Sequence, residues 1–187
     1  MIRLLAAGAL VLAALVPAAA PAKTLHSPHV TIVQSDQPVK RIDWEVVVPA
    51  PIAQVWDAFT TPAGMQSWIA PQARVQLVPG GDWRALFPGR AEAGGTIVAF
   101  QPDTLLVLSA MAPEAYPTVR RDRTLAVFTF APHGDAETTV HLAQTGWKDG
   151  SEWDKAYEYL TQGNAYLLQA LYARFAKGPL DWSKMKP

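Results

Sequence analysis

Cysteine is missing from the 187-residue chain. Its absence excludes a disulfide, a thiolate nucleophile, a cysteine-ligated metal and a lipid-modified cysteine behind an export signal. An excess of charge of either sign is missing too, since 16 Lys and Arg stand against 16 Asp and Glu. Such a balance leaves no electrostatic footprint for nucleic acid or for an anionic membrane. The one basic concentration, Arg120, Arg121 and Arg123, is interrupted by Asp122 in the manner of a loop. There is no phosphate loop, dinucleotide fingerprint or Gly-x-Ser-x-Gly motif. His26 and His29 lack nearby acidic companions, and His133 and His141 stand alone in a turn and a strand, so no metal site is expected. No cofactor is called for, and no residue is singled out as catalytic.

What is present begins with a targeting pattern. Arg3 precedes an apolar run over residues 4–16, then Pro17 and an alanine-rich stretch offering cleavage after Ala20 or Ala22. This is the layout of a secretory signal peptide, assigned to residues 1–22. The run falls short of the roughly 20 apolar residues a bilayer span needs. Cleavage would leave an essentially neutral, soluble periplasmic or secreted protein without stable membrane insertion. Half of the residues are hydrophobic, enough for one domain with its own core.

Residues 23–40 are polar and proline-spotted, with a strand-favouring run at 29–33; they are expected as a leader that acts as a linker or lays down one extra strand. Residues 41–48 alternate, placing Ile42, Trp44, Val46 and Val48 on one face of a strand. A short amphipathic helix follows Pro51, and a second is expected at 62–68. Six strands are then expected at 73–78, 82–87, 95–101, 104–109, 125–131 and 137–145, separated by Gly, Pro and Asp turn residues, with 111–123 as the one longer loop. Residues 151–177 form the one long helix, its apolar stripe running through Trp153, Ala156, Tyr157, Leu160, Asn164, Leu167, Leu168, Leu171 and Phe175. Ser151 is expected as its N-cap, Glu152 and Asp154 as dipole partners, and Gly178 with Pro179 as its stop. A domain over 41–178 with a tail at 179–187 results. The fold class is α+β: a curved antiparallel β-sheet wrapped around a long C-terminal helix, which leaves a cavity between the two layers.

Particular residues also carry a likeness. Val48, Pro49, Pro51, Val55, Trp56 and Phe59, then Pro62 and Trp68, Pro79 to Gly81, Gly95, Pro102 to Leu106, Thr138 to Leu142, and Gly146 with Trp147 resemble the START-like helix-grip superfamily over residues 41–177. The match is closest to the branch named for activators of the heat-shock chaperone ATPase. The resemblance implies a hydrophobic ligand cavity in a superfamily that includes lipid carriers, polyketide cyclases and hormone receptors. Two departures stand out. Trp68-Ile69 replaces the branch's double tryptophan, so no second ring is carried over. An export signal leads to a compartment without ATP, so assistance to an ATP-driven chaperone is not carried over either.

The candidate ligand-binding residues are Trp68, Trp83, Phe87, Phe100, Tyr116, Arg120, Tyr157, Asn164 and Leu168. The aromatic rings offer broad contact to a small hydrophobic or aromatic molecule, or simply fill a core. Asn164 either bonds a ligand or is satisfied within the protein beside Gly163, where the helix approaches a neighbour or bends. Arg120 either pairs with a ligand carboxylate or is an exposed loop cation. Arg84, next to an inward Trp83, is expected to face solvent, as are His141 and Thr139. Three functional readings follow: a carrier that performs no catalysis, a polyketide cyclase- or dehydratase-like enzyme in the same cavity, or a protein-interaction module using residues 111–123, with no protein partner identified.

Overall fold

The computed structural model describes residues 22–184. The expected signal segment lies outside the described residues up to residue 21. The leader is no linker. Residues 23–40 form a hairpin of β1 (Lys23–Ser27) and β2 (Val30–Ser35), with His29 in the turn at φ 63°. Val30, Ile32 and Gln34 alternate inward along β2, so the segment has a core face of its own even though its composition is polar.

β2 pairs with β3 (Arg41–Val48), whose Ile42, Trp44, Val46 and Val48 are all buried as the alternation predicts. The chain then leaves the sheet through α1 (Ile52–Thr60) and α2 (Pro62–Gln66). The C-terminal carbonyls of α1 lack helical partners, and two distant indoles supply them: Trp68 Nε1 donates to Ala58 O at 2.9 Å and Trp83 Nε1 to Phe59 O at 2.7 Å. At the α1–α2 corner a Cβ on Gly64 would lie 2.0 Å from the Asp57 carbonyl oxygen, so only glycine permits the approach.

The sheet resumes at its far edge with β4 (Gln72–Val75), β5 (Asp82–Leu86), β6 (Ala93–Gln101) and β7 (Leu105–Ala110). A register shift between Ile97 and Ala99 bends β6. Within the expected loop 111–123 a short helix, α3 (Pro117–Asp122), stands before β8 (Thr124–His133) and β9 (Glu137–Thr145). β9 closes against β3, giving one antiparallel sheet in the order β1-β2-β3-β9-β8-β7-β6-β5-β4.

α4 (Ser151–Lys177) then crosses the inner face. Gly150, at φ 130°, is its N-cap and no side chain caps it, so Ser151 is the first helical residue rather than the cap. Glu152 serves a different helix: its carboxylate accepts from the Thr118 and Val119 amides of α3 at 2.6 and 3.1 Å. The buried stripe of α4 is Trp153, Ala156, Tyr157, Thr161, Ala165, Leu168 and Leu171. Thr161 and Ala165 lie on it, and Leu160, Asn164 and Leu167 sit to one side, half-exposed. Trp44 Nε1 donates to Thr161 O at 2.9 Å and Gln34 Nε2 to Thr161 Oγ1 at 3.0 Å, which draws this flank of the helix onto β2 and β3. Among the described residues no helix is long and apolar enough to cross a membrane.

Candidate functional site

Because α4 leans toward β2 and β3, the other half of the sheet's inner face is left uncovered by its core stripe. A cavity of about 500 Å³ opens there. Trp83 and Ala85 from β5, Leu108 from β7, Ala126 and Phe128 from β8, and Leu142 from β9 form its apolar wall. Its roof is the side of α4 carrying Leu160, Gly163, Asn164 and Leu167, and its rim runs through residues 91–94 and 110–114.

The polar residues of the lining are Glu92, Glu114 and Arg120 at the rim, Tyr159 and Asn164 on α4, and Gln144 on β9. Gln144 follows Val140 and Leu142 at the next inward position of β9 and is buried. Its Nε2 donates to Thr124 Oγ1 at 2.7 Å, and its Oε1 accepts from Asn164 Nδ2 at 2.9 Å. The Asn164 amide is thereby held at the cavity surface by a partner across the layers. Gly163 serves no close backbone approach, since a Cβ there would meet nothing nearer than Tyr159 Cε1 at 3.8 Å.

Of the residues expected in the site, the cavity collects Trp83, Phe87, Arg120 and Asn164. The others sit elsewhere. Trp68 is 1% exposed beneath Phe59, 5.0 Å between ring centroids, and Leu168 is 0% exposed in the core. Phe100 is half-buried toward the opposite end of β6, packed against the core. Tyr116 packs outside the wall, its ring 5.6 Å from that of Tyr159, which does line the cavity. Tyr157 is on the flank of α4 facing β3, where its hydroxyl donates to Arg41 O at 3.0 Å. Burial, with Asp36, Glu158 and Asp43 adding negative charge nearby, pushes the Tyr157 phenol up to about 12, so it stays a neutral donor at ordinary pH. Gln144, Phe128, Leu160 and Leu167 are among the lining residues that lie outside the expected set. Gln144 was legible: residues 140, 142 and 144 share a strand face, and a polar side chain at the end of an apolar series marks a lining position.

Charge gathers at the rim and behind it. Arg120 Nη1 donates to Ala112 O at 2.7 Å and Nη2 to Glu92 O at 2.9 Å, stapling α3 across the rim. Arg84 lies on the outer face as expected, yet its side chain is only 12% exposed, between Asp82 at 3.0 Å and Glu92 at 3.5 Å. Arg123 takes φ 68° and ψ 159°. That region is essentially reserved for glycine and costs about 1–3 kcal/mol for other residues. On the outer face at β3–β9, Asp43 lies 2.9 Å from His141 Nε2 and pairs with Arg41. Burial raises the Asp43 carboxyl, but the hydrogen bonds from His141 and Arg41 outweigh it and hold the group below its ordinary value. No group of three or more His, Asp or Glu side chains suited to a metal occurs among the described residues.

The family described as Activator of Hsp90 ATPase homolog 1-like protein (AHSA1) matches residues 49–176. The chain belongs to this family. Solved structures similar to this AHSA1 chain include the Aha1 dimer from Colwellia psychrerythraea, with TM-score 0.60, 16% identity and coverage of 74% of this chain and 97% of that one. An AHSA1-like protein from Rhizobium etli has TM-score 0.56 at 20% identity, covering 79% of this chain and 89% of that one. CalU16 from Micromonospora echinospora has TM-score 0.57 at 19% identity, covering 86% of each chain. At these identities the likeness establishes the START-like helix-grip fold alone. Among curated protein sequences none matches the chain. The AHSA1 match begins at residue 49, so it includes neither the β1–β2 hairpin nor β3.

Proposed function

We propose that this protein binds a small, largely hydrophobic molecule in the cavity between the sheet and α4, as an exported carrier or sequestering module without catalysis. The observation that carries the reading is the character of the cavity: about 500 Å³, within the range of small-molecule sites, walled by Trp83, Phe128, Leu108 and Leu142. Apolar burial would supply affinity, and the Asn164–Gln144 pair would orient the ligand. A cyclase- or dehydratase-like reaction needs a titratable pair within reach of one point. The titratable carboxylates and phenol of the lining, Glu92, Glu114 and Tyr159, are exposed at its edge, and the polar pair tied between the layers consists of two amides, which favours binding over chemistry. Export to the periplasm is supported by the N-terminal sequence pattern, and β1 starts at Lys23, directly after the expected cleavage point.

The reading is tested by native mass spectrometry of protein purified gently from the periplasm, with a denatured control that releases and identifies any bound molecule. A stoichiometric hydrophobic adduct, weakened by Trp83→Ala or Asn164→Ala, is expected. Protein that is reproducibly empty and ignores a hydrophobic library would overturn it.

A further inference from the structure

Of the arginines at the cavity rim and behind it, Arg120 and Arg123 pair with no carboxylate among the described residues, although Glu114 also stands on the rim. Asp82 and Glu92 are shared between Arg74, at 2.7 and 3.3 Å, and Arg84, at 3.0 and 3.5 Å. Arg120 spends both terminal nitrogens on backbone carbonyls, which leave its charge standing. Arg123 has neither kind of partner: its Nη1 is a buried side-chain nitrogen without a hydrogen-bond partner among the described residues. Arg84 and Arg120 meet at Glu92, the first 3.5 Å from its carboxylate and the second 2.9 Å from its carbonyl oxygen, and Arg123 caps the helix that carries Arg120. Burial, and then the nearby positive charges of Arg84 and Arg120, push the Arg123 guanidinium down from its ordinary value. A buried donor without an acceptor is costly to keep, and Arg123 is also held in backbone geometry that glycine would adopt freely.

We propose that the corner beside Arg123, at the junction of α3, β6 and β8, is an oxyanion subsite that takes a carboxylate or a phosphate. Glu92 and Arg120 belong both to this corner and to the cavity lining, so the subsite adjoins the apolar cavity. Resting on the cavity reading above, the inference makes the ligand an amphiphile, with its apolar body against Trp83 and Phe128 and its anionic head at the rim. A planar guanidinium with unused donors suits either oxyanion, and a bound anion would relieve the mutual repulsion of the three arginines.

The experiment is isothermal titration of the purified protein with octanol, octanoate and inorganic phosphate, repeated on Arg123→Gln and Arg123→Lys. Octanoate is expected to bind about tenfold more tightly than octanol, the gain of one charge-assisted contact. Arg123→Gln should erase that difference while leaving octanol binding unchanged, which also shows the variant folded, and Arg123→Lys should retain part of it. Phosphate that competes with octanoate through Arg123 would mark a subsite open to free oxyanions; phosphate without effect would mark one reached only by a tethered head, and both support the proposal. Octanol binding with no preference for octanoate, or a preference that survives in Arg123→Gln, would overturn the subsite and leave the cavity reading intact. Failure of both octanol and octanoate to bind would overturn both.

Discussion

Asp43 shows how one outer-face side chain couples the fold to pH. Its carboxyl is held below the ordinary value of about 3.9 by His141 and Arg41 against the opposing effect of burial. A group whose folded pKa is depressed contributes stability above its unfolded pKa, and that contribution disappears as pH falls through the folded value. Urea denaturation from pH 6 down to pH 2 should therefore show a stability loss beginning near pH 4, a component of which is absent in Asp43→Asn. An identical acid profile in the two proteins would show that the interaction carries no net stability. His141 was legible as a solvent-side strand residue, and its partner was not, because the register that brings β3 beside β9 joins segments almost a hundred residues apart.

At the scale of elements, the β1–β2 hairpin departs furthest from what composition suggests. A polar, proline-spotted segment was expected as a linker or as one extra strand, yet it forms two paired strands whose Val30 and Ile32 are 2% and 1% exposed. Two anchors explain this. Gln34 bonds Thr161 on α4, and the His29 ring stacks on Tyr172 at 3.7 Å between centroids, so the hairpin is held by a helix that the local sequence cannot reveal. Ile32→Ala should cost about 2–5 kcal/mol in urea denaturation, the range for a large-to-small change in a core, whereas a linker residue would cost almost nothing. α3 teaches the same lesson: PTVRRD is too short to announce a helix, and its free amides are met by Glu152 from another element.

For the whole molecule the decisive feature is the tilt of α4 toward one half of the sheet, since the cavity is the space this leaves. Gly163 sits in the roof of that space with room for a Cβ. Gly163→Ala should raise stability by up to about 1 kcal/mol, through helix propensity, with octanol binding retained. Gly163→Phe should project a ring into the cavity and abolish octanol binding without unfolding the protein; retained binding would place the ligand elsewhere. The order of elements from β3 to α4 apart from α3, the inward alternation of β3 and β9, the bounds of α4 and the family likeness were all set by the sequence alone, because period-two and period-3.6 patterns and turn residues act locally. Which aromatic rings face a cavity and which fill the core was decided only in three dimensions. Trp68 and Trp83 are both indoles bonded to carbonyls at the end of α1, yet one is sealed beneath Phe59 and the other borders open space. The same holds for Arg84, Arg120 and Arg123. Their residue types are plain in the sequence, but their convergence depends on how β5, α3 and β8 meet, and packing between distant segments sets that meeting.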